Sequence, residues 1–124
     1  ETPVLSADLM HFQNRHIAPP RGPNENLNAY CDRMMIARGM TQPRCKPRNT
    51  FIHNNVHDVQ QVCHGQSTHY GGNLYDSIQS FDMTECNNTG TAGNCRYRGQ
   101  PLNRRIRVGC SGDPVHFEVE YVAF

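Results

Sequence analysis

Apolar residues recur at helical spacing in three stretches of the first half of the chain, and at alternate positions in the second half. Leu5, Leu9, Phe12 and His16 stand four, three and four residues apart, which puts them on one face of a helix. Ser6 is its expected cap and Pro19-Pro20 its stop, so His16 shares the buried face with the apolar residues. Leu27, Tyr30, Cys31, Met34 and Met35 form a second stripe, capped by Asn24 or Asn26 and closed by Gly39. A third, shorter helix starts at Asn54 or Asn55 and carries Val56, Val59, Val62 and Cys63. Asn49-Thr50-Phe51-Ile52 reads as a strand. Further on, Ile106, Val108 and Cys110 alternate with Arg105 and Arg107. Val115, Phe117, Val119 and Tyr121 alternate with His116, Glu118, Glu120 and Val122, setting His116 on the face opposite Phe117. Gly- and Asn-rich stretches at 71–73, 87–94 and 111–114 read as turns. Helices followed by antiparallel strands define an α+β fold, and no repeat or linker divides it, so 1–124 is expected to be one domain.

Composition adds a constraint. Hydrophobic residues make up 36% and the mean hydropathy is -0.71, so the core is thin and needs covalent support. Cys31, Cys45, Cys63, Cys86, Cys95 and Cys110 supply it as a disulfide framework formed in an oxidising compartment. Six cysteines allow fifteen pairings, and their spacing does not choose among them. The absence of a CxxC pair argues against zinc knuckles and thioredoxin-like redox chemistry. No run approaches the ~18 apolar residues of a membrane span. The polar opening ETPVLSAD reads as a mature N-terminus whose leader has been removed, and the sequon Asn87-Asn88-Thr89 agrees with secretion.

Net charge is only +1, yet the basic residues are unevenly placed. Arg44 and Arg48, Arg96 and Arg98, and Arg104, Arg105 and Arg107 form clusters suited to bidentate contact with phosphate, or to a solvated mixed-charge surface. Lys46 is the sole lysine and follows Cys45 directly, so a disulfide at Cys45 would anchor its backbone and could present a fixed cation, although composition alone reads it as an ordinary exposed lysine. Seven histidines call for weighing. On its helix face alone, His16 reads first as a hydrogen-bonded core or boundary residue. His53 and His57, four apart, have a zinc-gripping spacing, but the further ligands of a zinc site are missing. His11, His64 and His69 sit in polar contexts. Spacing alone does not bring positions 16, 46 and 116 into one cleft.

The string Cys45-Lys46-Pro47-Arg48-Asn49-Thr50-Phe51 resembles the CKxxNTF signature of the pancreatic-type ribonuclease A family. Tyr30-Cys31-Asp32-Arg33-Met34-Met35 and Asp58-Val59-Gln60-Gln61-Val62-Cys63 are similar to its second and third helices, and Pro114-Val115-His116-Phe117 to its catalytic strand. With Phe12 and His16, the likeness runs in order from about residue 9 to 118. It implies three helices packed on two antiparallel sheet regions, with pairs Cys31–Cys86, Cys45–Cys95 and Cys63–Cys110. The span from His64 to Glu85 lacks cysteine, as in the three-disulfide, angiogenin-like branch.

That resemblance implies a secreted, monomeric, metal- and cofactor-independent endoribonuclease acting on single-stranded RNA 3′ to pyrimidines, through a 2′,3′-cyclic phosphate. His16 would be the base and His116 the acid, histidine's near-neutral pKa suiting both. Lys46 and the Phe117 N–H would offset charge on the phosphoryl oxygens, Thr50 would read the pyrimidine, and Asn49 would complete the substrate site. Two departures stand out: Arg15 where the family often has glutamine, and Glu118 where it usually has aspartate. With an apolar tail at Val122-Ala123-Phe124 that in the angiogenin-like branch can cover the pyrimidine pocket, modest activity is expected. The alternatives are an angiogenin-like signalling protein that binds a cell-surface receptor through the loop around Thr68 to Tyr75, and an antibacterial protein acting on anionic surfaces. Met34-Met35-Ile36-Ala37-Arg38-Gly39 lacks the arginine run of the first, and a charge of +1 argues against the second.

Overall fold

Capping decides where two of the helices begin. The Asn26 side chain accepts a hydrogen bond from Ala29 N at 2.8 Å and starts α2 (Leu27–Ala37), so of the two expected caps Asn26 is the one used. Asn55 does the same for α3 (Val56–Gln60), accepting from Asp58 N at 2.8 Å, and α3 tightens into a 3-10 turn over Gln61–Cys63. At the end of α2 the chain turns through Gly39 at φ +76, where Gly39 N and Met40 N close on Ile36 O and Met35 O. The computed structural model describes residues 7–117, the side chains of Val115 and His116 excepted, so Ser6, Glu118 and the apolar tail lie outside the described residues. The first helix, α1, spans Ala7–His16 and buries Leu9, Phe12 and His16, as its spacing requires.

The strands are β1 (Arg48–Ile52), β2 (Ser67–Gly71), β3 (Leu74–Asn88), β4 (Tyr97–Ser111) and β5 (Asp113–Phe117). They make one antiparallel sheet in the order β1-β3-β4-β5, with β2 also paired to β3. The two expected sheet regions are two halves of this sheet. β2 lies along Leu74–Ser77 and β1 along Met83–Asn87, and the β3–β4 register shifts between them, from Asp76 to Ser80. Thr68 to Tyr75, expected as a loop, is therefore the β2–β3 hairpin, turning at Gly72-Asn73. The turn expected at 87–94 starts later, because β3 runs to Asn88 before reversing into β4.

Adjacent residues of β1 face different cores. Ile52 packs with Phe12, Val59, Phe81, Ile106 and Phe117, whereas Phe51 packs with Tyr30, Met34, Met35 and Tyr97. β1 thus bridges the α1/α3 core and the α2 core. Gly99 lets α2 close on β4: a Cβ there would lie 2.5 Å from Leu27 O. The pairs Cys31–Cys86, Cys45–Cys95 and Cys63–Cys110 tie α2 to β3, the segment before β1 to the β3–β4 connection, and the end of the 3-10 turn to β4. Each closes about fifty residues of chain, where loop-closure entropy contributes roughly 4 kcal/mol.

Candidate active site

Where α1 ends against β1, two hydrogen bonds lock the helix to the strand. His16 Nδ1 lies 2.9 Å from Thr50 O, and Asn49 Nδ2 donates to Arg15 O at 2.8 Å. A carbonyl can only accept, so Nδ1 carries the proton and the basic lone pair of neutral His16 is on Nε2. His16 is buried, with its ring stacked on Phe117 of β5 at 5.0 Å and tilted against Phe12 at 5.2 Å. His16 is thus a buried, hydrogen-bonded histidine whose ring is held in one orientation. Its hydrogen bond fixes the tautomer and its ring contacts fix the plane.

Lys46 is held from several sides. Its N–H donates to Met40 O and its carbonyl accepts from the Tyr97 hydroxyl, each at 2.8 Å, while Cys45–Cys95 anchors the residue before it. The ammonium donates to Asn49 Oδ1 at 2.9 Å, so one buried asparagine positions both Lys46 and the end of α1. Burial first, and the Arg15 guanidinium second, push the Lys46 pKa below its ordinary value.

These contacts bring Arg15, His16, Lys46, Asn49, Thr50 and Phe117 around one concavity of about 250 Å³. Arg48 also lines it and is a residue the sequence reading left outside the site; it is steered by Glu85 Oε2, which accepts from Nη2 at 2.7 Å and Nε at 3.0 Å. Its signal was its place two residues after Lys46, pointing the same way on an extended chain. His116 has its backbone in β5, paired with Gly109, one residue before Phe117; its side chain and all of Glu118 lie outside the described residues. His53 and His57 do not form part of this site: His53 spends both ring nitrogens on Ala18 O and Thr84 Oγ1, at 3.0 and 2.7 Å. A cavity lined by three cationic side chains, one oriented imidazole and a threonine suits a phosphodiester with its adjoining base.

Similarity to known proteins agrees with this chemistry. Residues 7–120 match the pancreatic ribonuclease family. The chain is 48% identical over 115 residues to a pancreatic ribonuclease of Iguana iguana, covering 90% of this chain and 97% of that protein. It is 41% identical over 125 residues to pancreatic ribonuclease B of Cavia porcellus, covering 90% and 93%. The crystal structure of green turtle egg white ribonuclease superposes with a TM-score of 0.86 at 35% identity, covering 94% of this chain and 100% of that one. RNA is the substrate such a family acts on, and among the described residues no helix is long and apolar enough to cross a membrane. The chain belongs to the pancreatic ribonuclease family and is an endoribonuclease.

Proposed function

We propose that this one-domain chain is a secreted enzyme that cleaves single-stranded RNA 3′ to pyrimidines by transphosphorylation. His16 Nε2 takes the proton from the 2′-hydroxyl, whose oxygen attacks the adjacent phosphorus. The P–O5′ bond breaks, His116 gives its proton to the leaving 5′-oxygen, and a 2′,3′-cyclic phosphate remains for water to open. Lys46 and the Phe117 N–H offset charge growing on the non-bridging oxygens, and Arg15 adds a second cation to the same anion. Thr50 contacts the pyrimidine on the 5′ side of the cut, Asn49 positions Lys46, and Glu118 orients His116. The chain's own residues complete this cycle, and it works as a monomer. Secretion is consistent with three disulfides in so thin a core.

The observation that carries the reading is the shared lining of one small cavity by His16, Lys46, Asn49, Thr50 and Phe117, with His16 held in the tautomer a base requires. The test is cleavage of cytidylyl-adenosine against pH with EDTA present. A bell-shaped profile is expected, with His16→Ala lowering the rate by about 10²–10⁴ and abolishing its acid limb. Turnover that stops on chelation, or an unchanged profile in His16→Ala, contradicts it. The deoxy analogue should bind uncut, since it has no attacking hydroxyl.

A further inference from the structure

The sequon Asn87-Asn88-Thr89 has no part in the cleavage reading, and the fold gives its three residues different tasks. Asn88 and Thr89 shape the connection from β3 to β4. Asn88 Oδ1 accepts from Gly90 N and Arg96 N at 3.1 and 3.3 Å, and the Thr89 hydroxyl donates to Arg96 O at 3.3 Å. Asn87 instead has its backbone inside the sheet, opposite Arg48 of β1 on one side and Arg98 of β4 on the other. Residues directly opposite in antiparallel strands project to the same face, so the Asn87 side chain stands between those two arginines. Both arginines are exposed, and Asn87 is half-buried. Its amide nitrogen donates to Glu85 Oε1 at 3.1 Å, while Arg48 Nη2 donates to Glu85 Oε2 at 2.7 Å, which places all three side chains on that one face. Thr50 lies opposite Glu85, and both Thr50 and Arg48 line the active-site cavity. The acceptor amide of the sequon is therefore at the rim of the catalytic cleft.

We infer that Asn87 carries an N-linked oligosaccharide that crowds one wall of this cleft. The inference rests on the secretion and cleavage readings above. Thr89 supplies the hydroxyl that an acceptor sequence requires two residues after the asparagine. In the transfer, Asn87 Nδ2 bonds to the anomeric carbon of an oligosaccharide carried on a lipid pyrophosphate. The bond from that carbon to the pyrophosphate oxygen breaks, the lipid pyrophosphate leaves, and Nδ2 gives up one proton. Its second N–H remains, so the hydrogen bond to Glu85 and the pairing of β3 survive the modification. The sugar projects from the sheet face between Arg48 and Arg98, and a strand long enough to run along that wall meets it. A dinucleotide reaches His16, Lys46 and Thr50 without doing so. The modification thus discriminates by chain length and leaves the groups that act on the phosphodiester in place.

The experiment expresses the chain behind a cleavable secretion leader in vertebrate cells, beside Asn87→Gln and Thr89→Ala, which delete the sequon, and Thr89→Ser, which keeps it. Wild-type and Thr89→Ser proteins should migrate as larger species that collapse on treatment with an N-glycan amidase, with aspartate left at position 87 in the mass spectrum. Asn87→Gln and Thr89→Ala should be secreted at the smaller size. The glycosylated protein should cleave polycytidylate with roughly tenfold lower kcat/KM than either bare variant, the cost of one charge-assisted contact denied to the strand. Cytidylyl-adenosine should be cut at the same rate by all four. Secreted wild-type protein without sugar on Asn87 refutes the site. Equal polycytidylate rates in glycosylated and bare proteins, or an equal loss on both substrates, refutes the crowding of the cleft. A glycosylated chain retained inside the cell overturns the secretion reading, and bare variants that are secreted but cut neither substrate overturn the cleavage reading.

Discussion

Replacing Lys46 by methionine separates chemistry from folding at this site. Methionine keeps most of the apolar stem and removes the ammonium, leaving Asn49 Oδ1 without that donor. Losing a donor aimed at developing oxyanion charge costs about 10²–10³ in kcat, or roughly 3–4 kcal/mol of the barrier. Stability should respond in the opposite sense or hardly at all. Burial and Arg15 hold the Lys46 pKa below its unfolded value, so the unfolded chain binds more proton between the two values and stability rises with pH across that window. At neutral pH the charge therefore opposes folding, and its removal offsets the ~1 kcal/mol lost with the Asn49 hydrogen bond. Thermal unfolding should shift by no more than about 4 °C. The assay is kcat and KM on cytidylyl-adenosine at pH 6, beside a melting curve, with Lys46→Arg as a charge-retaining control. A variant that keeps more than a tenth of the wild-type kcat removes Lys46 from the transition state. A rate loss explained by unfolding would show the lysine to be structural.

Asn49→Ala should cut the rate about tenfold, because it frees Lys46 and the end of α1; stability should fall by about 1–3 kcal/mol with the hydrogen bonds to the Arg15 carbonyl and the Lys46 ammonium both lost. Gly99→Ala forces a Cβ against the Leu27 carbonyl and should destabilise by roughly 1–3 kcal/mol, read by denaturant titration, with kcat unchanged in the folded fraction. Joint replacement of Cys63 and Cys110 by alanine should lower unfolding free energy by about 4 kcal/mol. Hydrogen bonds from His64 first and Gln60 second hold the Asp113 carboxyl below its ordinary 3.8, so this stabilisation is present above that value and lost as pH falls through the lower folded one. His64→Leu should reduce the pH dependence of melting below pH 4, where an unchanged curve would rule out the coupling.

The contrast between β1 and β3 shows what could be read from the chain. Asn49 to Ile52 was legible because apolar residues and β-formers stand together there. β3 is three times as long and gave no such signal. Its register shift near Asp76 to Ser80 breaks the alternation, and Ile78 is 61% exposed. Its buried positions include Asp76, Ser77, Thr84 and Glu85, each satisfied by a partner distant in sequence: Arg107, Ile106 N, His53 and Arg48. A polar residue becomes a buried one only when such a partner arrives, and hydropathy cannot report that. In the site, the motif around Lys46 pointed to Lys46, Asn49 and Thr50, and the family likeness added Arg15, His16 and Phe117, which line the same cavity.

Helical periodicity, the turn at Gly39 and the presence of six cysteines are local or compositional matters legible in the amino-acid order, whereas the choice between neighbouring caps and among the fifteen cysteine pairings came with the fold. Which ring nitrogen of His16 carries the proton, and how the ring is set, was decided by the Thr50 carbonyl, thirty-four residues away, and by the Phe117 ring on the last described strand. The meeting of Arg15, Lys46 and Thr50 around one hollow was likewise a tertiary outcome. The physical reason is that a tautomer, a pKa or an electrostatic field depends on distances through space, and those exist only once β1 has drawn α1 and the Cys45–Cys95 segment together.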